Sequence, residues 1–129
     1  MTDSNRIQQT VADQRVYKKA FELTDLLCAQ ADNVPVKWRR ILWEKTLDVA
    51  MDLVARIVYA YDEKTPKTRL VHLGRALSQF TVLNAYVALC NRHQVLPLQK
   101  QTNVSELMTD ISQQLGAWRK STAKMITTV

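Results

Sequence analysis

The stretch VPVKWRRILWEK, Val34 to Lys45, decides how the chain divides. The residue before a proline avoids the helical region, so the segment ahead of Pro35 must stop there. Proline is also favoured at the first position of a helix, so a new one opens at Pro35. Its first turns carry Lys37, Arg39, Arg40 and Lys45 together with Trp38 and Trp43. Burying one face does not require that mixture. The stretch is either a bundle helix with a solvated rim or a surface that grips an acidic polymer.

Upstream, Val16, Ala20, Leu23, Leu27 and Ala31 recur at helical spacing, with Phe21 and Cys28 widening the stripe. This predicts a first helix over about residues 11–32, closed by DNVP. Downstream, Trp43, Leu47, Ala50, Met51, Val54, Ile57, Val58 and Tyr61 form one stripe of a second helix over about 35–61, ended by DEKTPKT. A third helix opens at Pro66 or Thr68 and runs to about His93, with Leu70, Leu73, Leu77, Phe80, Asn84 and Val87 inward. After HQVLPLQKQ, Asn103 and Glu106 have the spacing of a capping box. They open a fourth helix over about 103–122, with Val104, Leu107, Met108, Ile111, Leu115 and Trp118 inward.

The chain has 129 residues, two glycines and three prolines. All-β domains of this length need more turn residues. The expectation is one all-α domain over residues 1–129, an up-down-up-down four-helix bundle. No run of apolar residues is long enough to span a membrane, and MTDSNRIQQT has no apolar signal core, so the expected location is the cytoplasm. Cys28 and Cys90 lie among apolar residues and are expected to be buried free thiols.

At 100° per residue, the second helix carries more apolar surface than a bundle needs. Trp38, Leu42, Val49, Leu53 and Ala60 lie beside its inward stripe, widening the apolar arc to about 200°, where little over 100° suffices. On the third helix Val71, Val82, Tyr86 and Leu89 lie opposite the inward stripe, with Arg75 beside them. Surplus of this kind marks a partner surface, so Trp38, Leu42, Val49, Leu53, Val71, Val82, Tyr86 and Leu89 are the expected oligomer interface.

Catalytic chemistry is sparse. His72 and His93 have no carboxylate or cysteine at ligand spacing, so no metal is expected. Asp48 and Asp52 could form an acid–base pair. Lys45 and Arg56 at i−3 and i+4 make them a surface ion-pair ladder instead. No glycine-rich phosphate loop or nucleophile elbow is present, and Gly74 and Gly116 read as close-packing positions within helices. The expectation is no enzyme, no cofactor and no small-molecule substrate.

Positive charge remains. Lys plus Arg number 18 against 12 acidic residues, a net charge of +6. The cations fall into groups: Lys18 and Lys19; Lys37, Arg39, Arg40 and Lys45; Lys64, Lys67, Arg69 and Arg75; Arg92; and Arg119, Lys120 and Lys124. Many sit near helix ends, where a bundle presents its rims. Cations there can neutralise phosphates without reading bases, so these residues, Lys64 and Lys67 apart, are the candidate nucleic-acid contacts.

The string VYKKAFELTDLLCAQADNVPVKWRRILWEKTLDVAMDLVARIVYAY, Val16 to Tyr61, resembles the bacterial four-helix-bundle proteins encoded in rRNA intervening sequences. DEKTPKTRL, LVHLGRALSQF, and LGAW followed by RKS are more similar to one branch, the accessory variability determinant (Avd) proteins of diversity-generating retroelements. The resemblance covers about residues 11–122. IVYAYDEK stands where the rRNA-encoded branch has a glycine-rich end to helix two. It implies a basic, barrel-like homopentamer without catalysis. Such a protein binds RNA, and DNA as a second ligand, and partners a reverse transcriptase in error-prone cDNA synthesis from the template repeat and in mutagenic retrohoming. The family has no fixed residue motif for RNA contact, so only the positive character carries over. Five copies would carry about +30. Two other readings of the same residues stay open: a stand-alone bundle of the rRNA-intervening-sequence type, and a helical protein-interaction adaptor.

Overall fold

The computed structural model describes residues 14–127, and residues 11–13 of the expected first helix lie outside them. Helix α1 spans Arg15–Ala29 and is followed by a 3-10 turn, Ala31–Asn33. A helical rod then begins with Val36–Trp38, passes through a π-helical turn, Arg39–Trp43, and continues as α2, Glu44–Asp62. Helices α3, Pro66–Arg92, and α4, Leu98–Thr127, complete the chain. Each helix packs on its neighbours in sequence, and α1 closes against α4. The described residues thus form an all-helical four-helix bundle without strands.

The π turn has a local cause. Thr46, Ala50, Leu53, Ile57 and Ala60 form the buried face of α2. An unbroken α-helix would carry that face back through Trp43 to Arg39, since positions three and four apart share a side. A π turn holds more residues than an α turn and rotates what precedes it. Leu42 and Trp43 are therefore buried while Arg39 and Arg40 stay in solvent. Thr46 sits in the core because its hydroxyl donates to the Leu42 carbonyl at 2.8 Å and lies 3.5 Å from Cys90 Sγ on α3.

The buried face of α2 lies between the two apolar groups marked on it in the sequence. Leu42 and Leu53 are 6% and 1% exposed, and Ala60 is fully buried, so these three belong to the bundle core and not to a subunit interface. Leu47, Val54 and Tyr61 are half-buried at its edge, and Met51 is exposed. The broad apolar arc has an internal use, because α2 packs against both α1 and α3. Trp38 also packs within its own chain, stacked on His93 with ring centroids 4.4 Å apart. Trp43 is buried and Trp118 half-buried, tilted against Tyr61 at 5.8 Å.

The helix ends are set by named contacts. Thr65 caps α3, its hydroxyl accepting from Thr68 N–H, with Pro66 in the first turn. Arg69 donates to the Ala60 carbonyl at 3.1 Å and the Glu63 carbonyl at 2.7 Å, capping the end of α2. At the end of α3, Gln94 takes a left-handed φ of 54°. Its N–H donates to Asn91 and that of Val95 to Cys90, the two bonds of a Schellman closure. Helix α4 starts at Leu98, so Asn103 and Glu106 lie inside it and form no capping box. The Pro97 carbonyl instead accepts from Lys100 and Gln101 N–H.

Five more residues depart from expectation. Phe21 and Cys28 are exposed on α1, so its buried stripe is narrower than expected, while Cys90 is buried as anticipated. Asn84 is exposed on α3. A Cβ added at Gly74 or Gly116 would meet nothing within 4 Å, so neither glycine serves close helix packing. No helix among the described residues is long and apolar enough to cross a membrane.

Two substitutions test this packing. Leu53→Ala should cost about 2–5 kcal/mol in denaturant unfolding, because it opens a cavity in the core. Loss of less than about 0.5 kcal/mol would place Leu53 on the surface. Gly116→Ala should instead stabilise the chain by about 0.5–1 kcal/mol, since the alanine methyl has room and the unfolded chain loses freedom.

Candidate nucleic-acid interface

The direction of the helices sorts the cations onto two ends of the bundle. The α1–α2 and α3–α4 connections share one end, fixed by the Trp38–His93 contact. Lys37, Arg39, Arg40 and Arg92 lie there, all exposed. The α2–α3 connection and the last turns of α4 share the other end, fixed by the Tyr61–Trp118 contact. Lys64, Lys67, Arg119, Lys120 and Lys124 lie there, also exposed. The rod from Val36 to Asp62 separates the two groups by about 40 Å at 1.5 Å per residue. Lys37, Arg39, Arg40 and Arg92 therefore form one patch and Arg119, Lys120 and Lys124 another, while Lys45 and Arg75 lie on the flanks of α2 and α3.

Within those patches the side chains differ in what they are free to do. Among the described residues, Lys37, Arg40, Arg92, Arg119 and Lys120 are exposed and have no carboxylate within 4.0 Å. Lys45 is likewise exposed and unpaired on the flank of α2, including toward Asp48. Arg39 is exposed but holds the Val34 carbonyl at 3.2 Å through Nε, which anchors the turn before the π segment. Lys19 pairs with Glu22 at 3.5 Å. Lys18 is exposed on α1. Arg69 is a correction: half-buried, with its guanidinium engaged by two carbonyls, it serves the α2–α3 turn and offers little to a phosphate.

A different surface runs along the outside of α3. Val71, Val82 and Leu89 are exposed at 53%, 40% and 43%, with Arg75 on the same side. Tyr86 and Val49 are half-buried and packed on the core. Between α2 and α3, a groove of about 570 Å³ is lined by Asp52, Arg56, Val71, Gly74, Arg75, Ser78 and Gln79. Arg56 donates to Asp52 at 3.4 Å, so that carboxylate is tied into an ion pair. At the foot of the same helices His72 Nε2 lies 3.1 Å from Glu63 Oε1, and its Nδ1 is buried without a partner.

The cysteines differ in environment. Burial pushes the Cys90 thiol up, and the Thr46 hydrogen bond offsets part of that. A thiol held protonated in the core is a poor nucleophile. Cys28 borders a notch of about 290 Å³ with Phe21, Thr24, Asp25, Met51 and Val54. No three His, Cys, Asp or Glu side chains converge to hold a metal ion among the described residues.

The contact that sequence reasoning missed is the Trp38–His93 stack. Its partners come from different helices far apart in sequence, so no helical period marks them. The available signal was positional: one aromatic just after Pro35 and one imidazole at the end of the third helix, both at chain reversals. Lys37 Nζ lies 5.2 Å from the Trp38 ring centroid, which places a cation beside the stack.

No protein-family model matches the chain, and no curated protein is significantly similar to it.

Proposed function

We propose that this protein is a non-catalytic, nucleic-acid-binding accessory factor of the Avd type. In this reading it acts in the cytoplasm beside a retroelement reverse transcriptase, in cDNA synthesis from a template repeat and in retrohoming. The observation that carries the reading is that, among the described residues, Lys37, Arg40 and Arg92 at one bundle end and Arg119 and Lys120 at the other are exposed without carboxylate partners. Such side chains keep their charge for an outside anion, and phosphate neutralisation with counterion release favours a polyanion over a small one. The soft motifs of Val16–Tyr61 and of the third and fourth helices support the family assignment.

The proposal includes a barrel-like homopentamer. With Leu42 and Leu53 inside the bundle, the outer face of α3 supports that assembly best: Val71, Val82 and Leu89 present separate apolar side chains along one side. Burying each would contribute about 1.5–3 kcal/mol toward the cost of association. RNA and DNA are the expected polymers, and no base-reading motif lies on the exposed helix faces.

Reconstitution tests both parts. Supplied with a retroelement reverse transcriptase and its template-repeat RNA, the wild-type protein should support cDNA synthesis. Replacing Lys37, Arg40 and Arg92 together by Gln, or Arg119 and Lys120 together, should reduce it at least tenfold in one of the two variants, with oligomeric mass unchanged by light scattering. Val82→Asp should lower the mass to that of a monomer while keeping the helical circular dichroism. Full cDNA synthesis by both charge variants refutes the accessory-factor reading. A wild-type protein that is monomeric at micromolar concentration refutes the assembly.

A further inference from the structure

The end of the bundle that carries Lys37, Arg40 and Arg92 also carries an aromatic pair in fixed geometry. Trp38 and His93 are stacked, with centroids 4.4 Å apart and planes 27° from parallel. Trp38 is half-buried and His93 exposed. The inner face of the imidazole lies on the indole, so the face that meets solvent is the outer one. The backbone beneath both rings is held by hydrogen bonds. Trp38 N–H donates to the Pro35 carbonyl at 2.9 Å, directly ahead of the π turn. His93 N–H donates to Leu89 at 3.1 Å, and Val95 N–H to Cys90 at 2.8 Å, with Val95 and Leu96 buried as the anchor beyond it. A left-handed Gln94 between those bonds turns the chain sharply just after the imidazole.

We propose that this pair is a stacking platform for one unpaired base of single-stranded nucleic acid. The base lies on the outer face of His93, extending the Trp38–His93 stack by one ring, and the flanking phosphates reach Lys37, Arg40 and Arg92. This rests on the nucleic-acid reading above and adds to it a place and a ligand class. Three properties carry it. The two rings are already stacked on each other, so a base adds to an existing contact and need not assemble one. Every base has a π face, so the site needs no base-edge contacts. Among the described residues, Lys37, Arg40 and Arg92 have no carboxylate partners to release first. A duplex does not suit it, because paired bases keep their faces within their own stack, whereas loops, ends and single strands can splay one out.

The test uses the full chain and two labelled strands of equal length and charge, oligo(dA) and an abasic deoxyribose-phosphate strand, at ~50 mM salt. Wild-type protein should bind oligo(dA) about tenfold more tightly, the usual effect of one base–aromatic stack. His93→Ala should lower the affinity for oligo(dA) to that for the abasic strand. His93→Phe should keep the preference, which separates stacking from any role of imidazole charge. Equal binding of the two strands by the wild type overturns the platform and leaves the nucleic-acid reading standing. So does a His93→Ala variant that retains the preference. Binding of neither strand overturns both.

Discussion

Arg39 cannot share a face with Trp43 and Thr46, and the shape of one end of the molecule follows from that conflict. The buried face of α2, continued backwards as an α-helix, would bring a guanidinium into the buried layer beside Trp43. Desolvating a charge there without a partner costs several kcal/mol. The π turn over Arg39–Trp43 removes the conflict. Both arginines stay in solvent, Leu42 and Trp43 go inside, and the turn before them aims Trp38 at His93. One irregular turn thus fixes the core, the aromatic pair and the placement of several cations. π-Helical insertions are frequent at functional sites, which agrees with this end of the bundle being a binding surface.

How far the fold could be read from the residues depended on whether a side chain spoke for its own environment. Pro35 and Pro66 marked helix starts to within a residue, because their backbone restriction acts locally. The inward positions of the fourth helix, from Val104 to Leu115, are buried as their spacing predicts. The register of α2 was not legible. Its core includes Thr46, a polar residue that satisfies its hydroxyl on the Leu42 carbonyl of its own helix. Without Thr46 the stripe splits into two: Trp43, Ala50 and Ile57 of the inward group are buried as expected, whereas Leu42 and Leu53 of the lateral group join the same core and not a subunit interface. The start of α4 was missed for a related reason: Pro97 and the polar run after it look like a loop until Pro97 is placed just ahead of the first turn.

The candidate site was legible as charge but not as geometry. Counting cations found a surplus, yet composition cannot tell Arg69, bound to two backbone carbonyls, from Arg40, which has no carboxylate partner and is exposed. Nor could it show that the cations divide between two ends of one rod. Val71, Val82 and Leu89 lie along the outer face of α3, between the charged ends, with Arg75 on the same side.

The central claim is that unpaired cations at the bundle ends bind a nucleic-acid backbone. The most direct measurement is the salt dependence of RNA affinity for the wild-type protein from ~50 to ~200 mM salt. The account predicts a linear log–log plot with a slope of about −0.7 for each phosphate neutralised on a single strand, and a total steep enough for several contacts. An affinity that does not change with salt, or no binding even at ~50 mM, would contradict it.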